Sequence, residues 1–145
     1  MEWRDNVLTT DDQLRELLRN THTIAVLGIK PEDHSGQPAF YVPKYMAEHG
    51  YEIIPVPVYY PDVTEILGKQ VYRSLSQVPV EIDLVNVFRR PDDIRVHTLD
   101  ILTKKPKAVW FQLGIRNDEI AEQLAEAGIK VVQDLCLMVE HRALL

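Results

Sequence analysis

An apolar run, a helical pattern and a second apolar run follow one another between residues 23 and 56, and this succession constrains the fold more than any other feature. Thr23–Leu27 shows no polar alternation, which predicts a strand buried on both faces. A helix pattern ending at Gly50 separates it from the next run, residues 51–56. Two strands joined by a helix are forced to lie parallel.

Three further apolar runs, at residues 82–88, 107–113 and 129–133, alternate with segments of helical pattern. Pro91 favours a helix start after the first of them, and Asn117 is a helix cap after the second. The sequence therefore predicts an α/β fold: a doubly wound open sheet of about five parallel strands with helices on both faces.

The 145 residues fit one domain, 1–145, with residues 1–9 expected to form a flexible N-terminus. Thr10 and Gln13 have the spacing of a capping box, and leucines at helical spacing follow them. A second helix is expected to begin near residues 38–40, with Pro43 in its first turn, where a missing N–H costs nothing.

The overall composition excludes several classes of function. A net charge of −6 argues against a nucleic-acid partner, because that affinity depends on Lys and Arg neutralising phosphates. The single cysteine excludes an internal disulfide and a cysteine-built zinc site, and no spacing of histidines supports another metal site. No apolar run approaches the roughly 18 residues of a membrane span, so no membrane partner is predicted and a cytoplasmic location is expected.

Ligands of doubly wound sheets bind outside the carboxyl ends of the strands, where the strand order reverses. The loops at this edge are residues 28–39, 55–61, 88–91, 113–117 and 134–138. In the first of them, Gly28 lacks the second and third glycines of a dinucleotide-binding loop. A tight turn alone would explain Gly28, whereas Ser35 and Gly36 before a helix start would suit a phosphate, with charge added by Lys30 and His34.

The loop after the second strand lacks the acid that a NAD-binding fold places there to hold the ribose hydroxyls. It reads Pro-Val-Pro-Val-Tyr-Tyr, which suits an adenine face, although a rigid turn with two core tyrosines explains it as well. Arg89 and Arg90 follow the third strand and could make forked contacts with phosphate. The alternative is a solvated pair bonded to Asp92, Asp93 or Glu119, and the sequence leaves both open.

Cys136 follows the last strand, with Glu140 and His141 nearby in the chain. A catalytic thiol is one interpretation, but a small, buried residue is favoured because lone cysteines usually pack rather than react. The sequence contains no G-x-S-x-G motif and no Walker loop.

Taken in order, "TIAVLG", "SGQPAFYVPKYM", "GYEIIPV", "LGKQVYRSL", "IDLVNVFRRP", "AVWFQLGI" and "AGIKVVQDLCLMVEHRAL" resemble the small single-domain CoA-binding proteins. These are relatives of the N-terminal CoA-binding domain of the succinyl-CoA synthetase alpha subunit. The likeness covers residues 10–145. It implies a Rossmann-like fold with coenzyme A (CoA) lying across the strand ends.

The resemblance implies a set of binding residues, carried over by position. Around the CoA diphosphate these are Gly28, Ile29, Lys30, Ser35, Gly36, Gln37, Pro38 and Ala39. On the adenosine side they are Pro55, Val56 and Tyr59, and another wall is formed by Phe88, Arg89 and Pro91. Gly114 and Ile115 lie along the pantetheine path, and Cys136 stands where the family often has a cysteine. Many relatives read P-V-N-P where this chain has a proline in place of the asparagine, at Pro57, so that contact is lost.

The synthetase carries its phosphorylated histidine in a second domain and binds its nucleotide in another subunit, and this sequence has no counterpart of either. The resemblance thus implies a module that binds CoA or an acyl-CoA without complete catalytic machinery. Two alternatives remain, a NAD(P)-dependent oxidoreductase and a protein-interaction scaffold with a vestigial nucleotide site. The sequence leaves a protein partner or a homodimer open.

Overall fold

A parallel sheet forms the centre of the computed structural model, which describes residues 2–145. The strands in chain order are β1 Thr23–Leu27, β2 Glu52–Val56, β3 Glu65–Ile66, β4 Lys69–Gln70, β5 Leu84–Val87, β6 Ala108–Phe111 and β7 Lys130–Val132. Five of them pair in the order β2-β1-β5-β6-β7, all parallel, while β3 and β4 form a separate antiparallel hairpin. The prediction of five parallel strands is confirmed. Four of the five are shorter than their apolar runs, β2 by one residue at its start and β5, β6 and β7 by one or two residues at each end.

Helices cover both faces of this sheet. The α-helices are α1 Asp11–Arg19, α2 Pro38–Glu48, α3 Thr98–Lys104, α4 Asp118–Glu126 and α5 Leu137–Leu144. Short 3-10 segments lie at Trp3–Asn6, Glu32–His34, Leu75–Gln77 and Pro91–His97. Apolar side chains of α1, α2 and α5 pack on one face, and those of α3, α4 and the segments Leu75–Gln77 and Pro91–His97 pack on the other. The doubly wound, Rossmann-like α/β fold is therefore confirmed. No helix within residues 2–145 is long and apolar enough to cross a membrane.

The capping box of α1 forms as its spacing predicts. Thr10 Oγ1 accepts from the Gln13 backbone N–H at 3.2 Å, and Gln13 Oε1 accepts from the Thr10 N–H at 3.1 Å. Both bonds satisfy backbone donors that the helix leaves unpaired at this end, so the boundary is set locally.

Pro43 does not lie in the first turn of α2, and that prediction is wrong. The helix begins at Pro38, which puts Pro43 in its second turn, where the ring removes the N–H that would bond the Ala39 carbonyl. The Lys30 N–H donates to that carbonyl instead, at 3.2 Å. The proline is tolerated because its orphaned acceptor has another donor, and the bond pins the loop after β1 to α2.

Residues 2–9 pack on the β7 edge of the sheet, which differs from the expected flexible N-terminus; residue 1 lies outside the described residues. Val7 bridges to Val131, and the Leu8 N–H donates to the Val131 carbonyl at 2.9 Å. Asn6 Nδ2 donates to the Ala125 carbonyl at 2.9 Å. An edge strand offers unpaired backbone groups, and this segment satisfies part of them.

The opposite edge is β2, where the backbone carbonyl of Pro55 points away from β1. Its carbonyl accepts from the Tyr72 N–H at 2.9 Å, and the β3–β4 hairpin lies alongside the strand. Proline has no N–H to offer on the side away from β1, so it suits an edge position and discourages further strand pairing.

Asp83 ties the amino ends of the strands together. Its Oδ2 accepts from the backbone N–H groups of His22 at 2.8 Å and Thr23 at 3.1 Å, and Lys107 Nζ lies 3.2 Å from Oδ1. Burial alone would raise the pKa of Asp83, but the two backbone bonds and Lys107 outweigh it and lower the pKa. The ionised carboxylate is therefore the form that stabilises this end of the sheet.

We expect Asp83→Asn to lower the free energy of unfolding by about 1–3 kcal/mol, because an amide oxygen replaces a charged acceptor of two partly buried N–H groups. Urea denaturation at pH 7 measures this, with Glu81→Gln, an exposed neighbour, as the control. Since the pKa is lowered on folding, the wild type loses this contribution as pH falls through that pKa, whereas the variant has none to lose. Equal urea midpoints for the two variants would contradict the role of Asp83.

Candidate functional site

The strand order reverses between β1 and β5, which are neighbours in the sheet although β2 lies between them in the chain. The connections from these two strands leave in opposite directions, which opens a crevice at their carboxyl ends. A cleft of about 200 Å³ lies there, lined by residues 28–30, 58–60 and 88–90. Three triplets from three loops thus form the candidate site.

Gly28 is the point where these loops meet. Its N–H donates to the Val56 carbonyl at 2.9 Å, and the Phe88 N–H donates to the Leu27 carbonyl at 2.9 Å. Its φ is +90°, and a Cβ at this position would lie 2.4 Å from the Phe88 carbonyl oxygen. Only glycine fits, because any side chain would meet both a strained backbone and a neighbouring strand.

Arg89 is half-buried and held over the cleft by uncharged groups. Its Nε donates to His97 Nε2 at 3.2 Å, and its guanidinium carbon lies 5.4 Å from the centre of the Tyr59 ring. Within residues 2–145 its two terminal nitrogens have no hydrogen-bond partner. Burial, followed by the charge of Arg89, lowers the pKa of His97, so the imidazole is neutral at neutral pH and can accept this bond.

Arg90 differs from Arg89 although it is the next residue. Its side chain is 85% exposed, and its Nε donates to Asp93 Oδ2 at 2.8 Å. The bond to Asp93 raises the pKa of Arg90. Of the alternatives that the sequence left open, the ion pair with Asp93 therefore describes Arg90, and the unpaired guanidinium at the cleft describes Arg89.

The loop after β1 places its predicted residues at two depths. Gly28, Ile29 and Lys30 line the cleft, whereas Ala39 is a buried residue of the first turn of α2. The four residues before Ala39 form an exposed rim: Ser35, Gly36, Gln37 and Pro38. Lys30 Nζ donates to Gln37 Oε1 across this rim. No side chain within the described chain caps α2, so the Ala39 N–H stays available to another acceptor.

The loop after β2 reaches the cleft through one of its three predicted residues and two of their neighbours. Pro55 faces the outer edge and Val56 lies in the core, so neither lines the cleft; Tyr59 does, together with Val58 and Tyr60.

Sequence reasoning missed Arg73, whose guanidinium donates to four carbonyls of the β2 loop at 2.6–3.3 Å, those of Tyr59, Tyr60, Pro61 and Val63. No local sequence pattern predicts these contacts, because Arg73 lies 10 to 14 residues along the chain from its acceptors.

The other predicted residues surround the cleft without lining it. The Pro91 carbonyl accepts from Asn117 Nδ2 at 3.0 Å, and Asp134 Oδ1 accepts from the Gly114 N–H at 2.7 Å while the Asp134 N–H donates to Ile115. Cys136 is the half-buried N-cap residue of α5 and makes no cap bond through its side chain. Its packing against the core favours the structural interpretation over a catalytic thiol.

With this geometry established, comparison with known proteins identifies the family. The family model described as a CoA binding domain matches residues 22–142. The chain belongs to this CoA binding domain family. It is similar to the uncharacterized protein YneT of Bacillus subtilis (strain 168), at 36% identity over 89% of this chain and 92% of the relative.

Two solved structures share the fold of this CoA binding domain closely. One, cell-free ID.343 from Thermus thermophilus, is 40% identical with a TM-score of 0.86, over 94% of this chain and all of the other. The other, a hypothetical protein from Pyrococcus horikoshii OT3, is 34% identical with a TM-score of 0.84, over 94% of this chain and 92% of the other. The five-stranded architecture is therefore that of the family.

We expect Gly28→Ala to destabilise the fold by about 2 kcal/mol or more, because the added Cβ meets the Phe88 carbonyl at a positive φ. Gly36→Ala is a matched control, since a Cβ there has nothing within 4 Å and the residue has no positive φ. The control should stay within about 0.5 kcal/mol of the wild type. Urea denaturation decides, and a Gly28 variant as stable as the control would contradict the close approach of β5.

Proposed function

We propose that the chain binds CoA, or an acyl-CoA, across the carboxyl ends of β1, β2 and β5. The observation that carries this proposal is Arg89, whose side chain lies beside the Gly28 turn and whose terminal nitrogens have no partner among residues 2–145. A guanidinium without an acidic partner at a strand-end cleft is suited to a phosphate oxygen. Membership of the CoA binding domain family supplies the identity of the ligand.

Three groups converge on the proposed diphosphate position. Arg89 and Lys30 line the cleft, and the uncapped N-terminus of α2 is connected to it through Lys30. A helix N-terminus presents backbone N–H groups and a favourable dipole to an anion. This arrangement would replace the glycines of a dinucleotide-binding loop.

The cleft is smaller than the roughly 300–1,000 Å³ of a pocket that encloses a drug-sized ligand. We therefore assign it to the diphosphate and its neighbours, with the rest of the ligand lying along the surface. Tyr59, 61% exposed, and Val58 would contact the adenosine in place of Pro55 and Val56. The pantetheine would run past Phe88 toward Gly114 and Ile115.

The proposed role is binding without chemistry of the chain's own. The cleft triplets contain glycine, apolar, aromatic and basic residues, and none is a carboxylate, thiol, hydroxyl of Ser or Thr, or imidazole. Lys30, Tyr59 and Tyr60 are the cleft side chains that could still act as acid, base or nucleophile. Each already has a contact: Lys30 donates to Gln37, the Tyr59 ring lies under Arg89, and the Tyr60 ring packs against His34. The same triplets supply no carboxylate for a ribose hydroxyl, which disfavours a NAD-dependent oxidoreductase.

We expect calorimetric titration of the wild type to show tighter binding of CoA than of dephospho-CoA or NAD. Arg89→Gln should weaken CoA binding by about 10- to 100-fold, because it removes charge-assisted bonds to phosphate. Arg95→Gln is the matched control and should change affinity by less than about threefold, since Arg95 does not line the cleft and is exposed, 3.5 Å from Glu119. Tighter binding of NAD would favour an oxidoreductase, and no detectable binding of any of the three ligands would favour a scaffold.

A further inference from the structure

The orientation of Arg89 depends on a residue outside the cleft, His97, eight positions along the chain. The 3-10 segment Pro91–His97 turns the chain back, so that His97 Nε2 accepts from Arg89 Nε. Asn117 Nδ2 holds the start of this segment through the Pro91 carbonyl. The bond uses Nε of the guanidinium, and within residues 2–145 both terminal nitrogens are left without a hydrogen-bond partner.

We propose that His97 is a positioning residue that aims the Arg89 guanidinium into the cleft only while its imidazole is neutral, so that a proton on His97 lowers the affinity of the cleft for a phosphate-bearing ligand. This inference rests on the proposed function, because it concerns the affinity of the same cleft. It adds a pH-dependent control that phosphate binding alone does not require.

The chemistry of the bond fixes the requirement for a neutral ring. A guanidinium has only donors, so His97 Nε2 must present a lone pair. A protonated imidazole donates from both nitrogens and carries a second positive charge, which turns the contact into a repulsion. Arg89 would then leave its position over the cleft, keeping only its contact with Tyr59.

The charged groups that face His97 are Arg89 from the loop after β5, Asp93 from its own segment and Asp100 from α3. Both acids are engaged elsewhere: Asp93 accepts from Arg90, and Asp100 accepts from the Leu75 and Ser76 N–H groups at 2.7 and 3.0 Å. Burial and Arg89 lower the pKa of His97 against the opposing effect of these acids. The imidazole is therefore neutral at pH 7.5 and gains its proton only below its usual range.

A competing electrostatic effect predicts the opposite pH dependence of affinity, so the sign of that dependence tests the proposal. A protonated histidine near a phosphate would ordinarily attract it, so simple electrostatics predicts tighter binding at low pH. Loss of the Arg89 position predicts weaker binding as pH falls through the pKa of His97. The two effects give opposite slopes.

The first experiment is titration with CoA at pH 8.0 and pH 5.5 for the wild type, His97→Gln and His97→Leu. The Gln side-chain oxygen can accept from Arg89 Nε at either pH, whereas Leu cannot accept at all. Between pH 8.0 and 5.5, or a lower pH where the midpoint of the His97 ring by nuclear magnetic resonance lies below 5.5, we expect the wild type to lose about tenfold more affinity than His97→Gln. His97→Leu should bind about tenfold more weakly than the wild type at pH 8.0. Protonation of the ligand's own phosphates is common to all three proteins and cancels in the comparison.

Equal slopes for the wild type and His97→Gln, or a relative gain by the wild type at pH 5.5, would overturn the proposal. So would full affinity of His97→Leu at pH 8.0. Urea denaturation at pH 8.0 shows whether either variant has lost its fold. If His97→Leu is unfolded, the proposal is decided by the pH dependence of CoA affinity in the wild type compared with that in His97→Gln.

A second measurement needs no ligand and separates this inference from the proposed function. The Arg89 Nε resonance in nuclear magnetic resonance spectra should shift with the same midpoint as the His97 ring, and should not titrate in His97→Gln. If the wild type fails to bind CoA at pH 8.0, the proposed function and the affinity effect both fail, while this titration still decides the contact. An Arg89 Nε resonance that does not shift with the His97 titration would contradict the hydrogen bond between Arg89 and His97.

Discussion

Backbone bonds converge from both sides on the peptide between Leu27 and Gly28, and the ligand edge depends on them. Gly28 donates to β2 through Val56, and Leu27 accepts from β5 through Phe88. Three strands are therefore held together at the level where their connections diverge. The missing Cβ of Gly28 lets the Phe88 carbonyl approach, which brings Arg89 to the cleft. The cleft exists because the loops part immediately beyond this closed junction.

The loops at this edge are fixed by bonds from side chains of one loop to the backbone of another. Glu32 accepts from the Leu67 N–H at 2.9 Å, Arg73 donates to the loop after β2, and Asn117 donates to Pro91. Asp134 performs the same task at Gly114. Because loop ordering is already complete, binding at this edge would lose less conformational entropy than binding to a mobile surface. The functional groups of the cleft are held by residues that never line it.

The sequence predicted those parts of the molecule whose cause is local. Apolar runs identified the strands, and Thr10 identified the first residue of α1, since each signal lies within a few residues of its effect. Pro43 was misplaced because its tolerance depends on a donor, Lys30, that is brought to α2 by the fold. Arg73 and His97 were not predicted as parts of the site for the same reason, as only the folded chain shows what their side chains contact. Local chemistry thus predicted the sheet and its edge, but not the supports of the site.

Arg89 and Arg90 show how the hydrogen-bond partner of a side chain determines whether its charge is available to a ligand. The two residues have the same side chain and adjacent positions, yet a carboxylate holds one and an imidazole holds the other. Pairing with Asp93 compensates the charge of Arg90 and points it to solvent, where a further anion gains little. The neutral partner of Arg89 fixes its direction without compensating its charge, so the full attraction stays available to a ligand. Positioning a cation by a neutral acceptor also makes that position sensitive to the acceptor's own proton, which links the affinity of the cleft to pH through the same hydrogen bond.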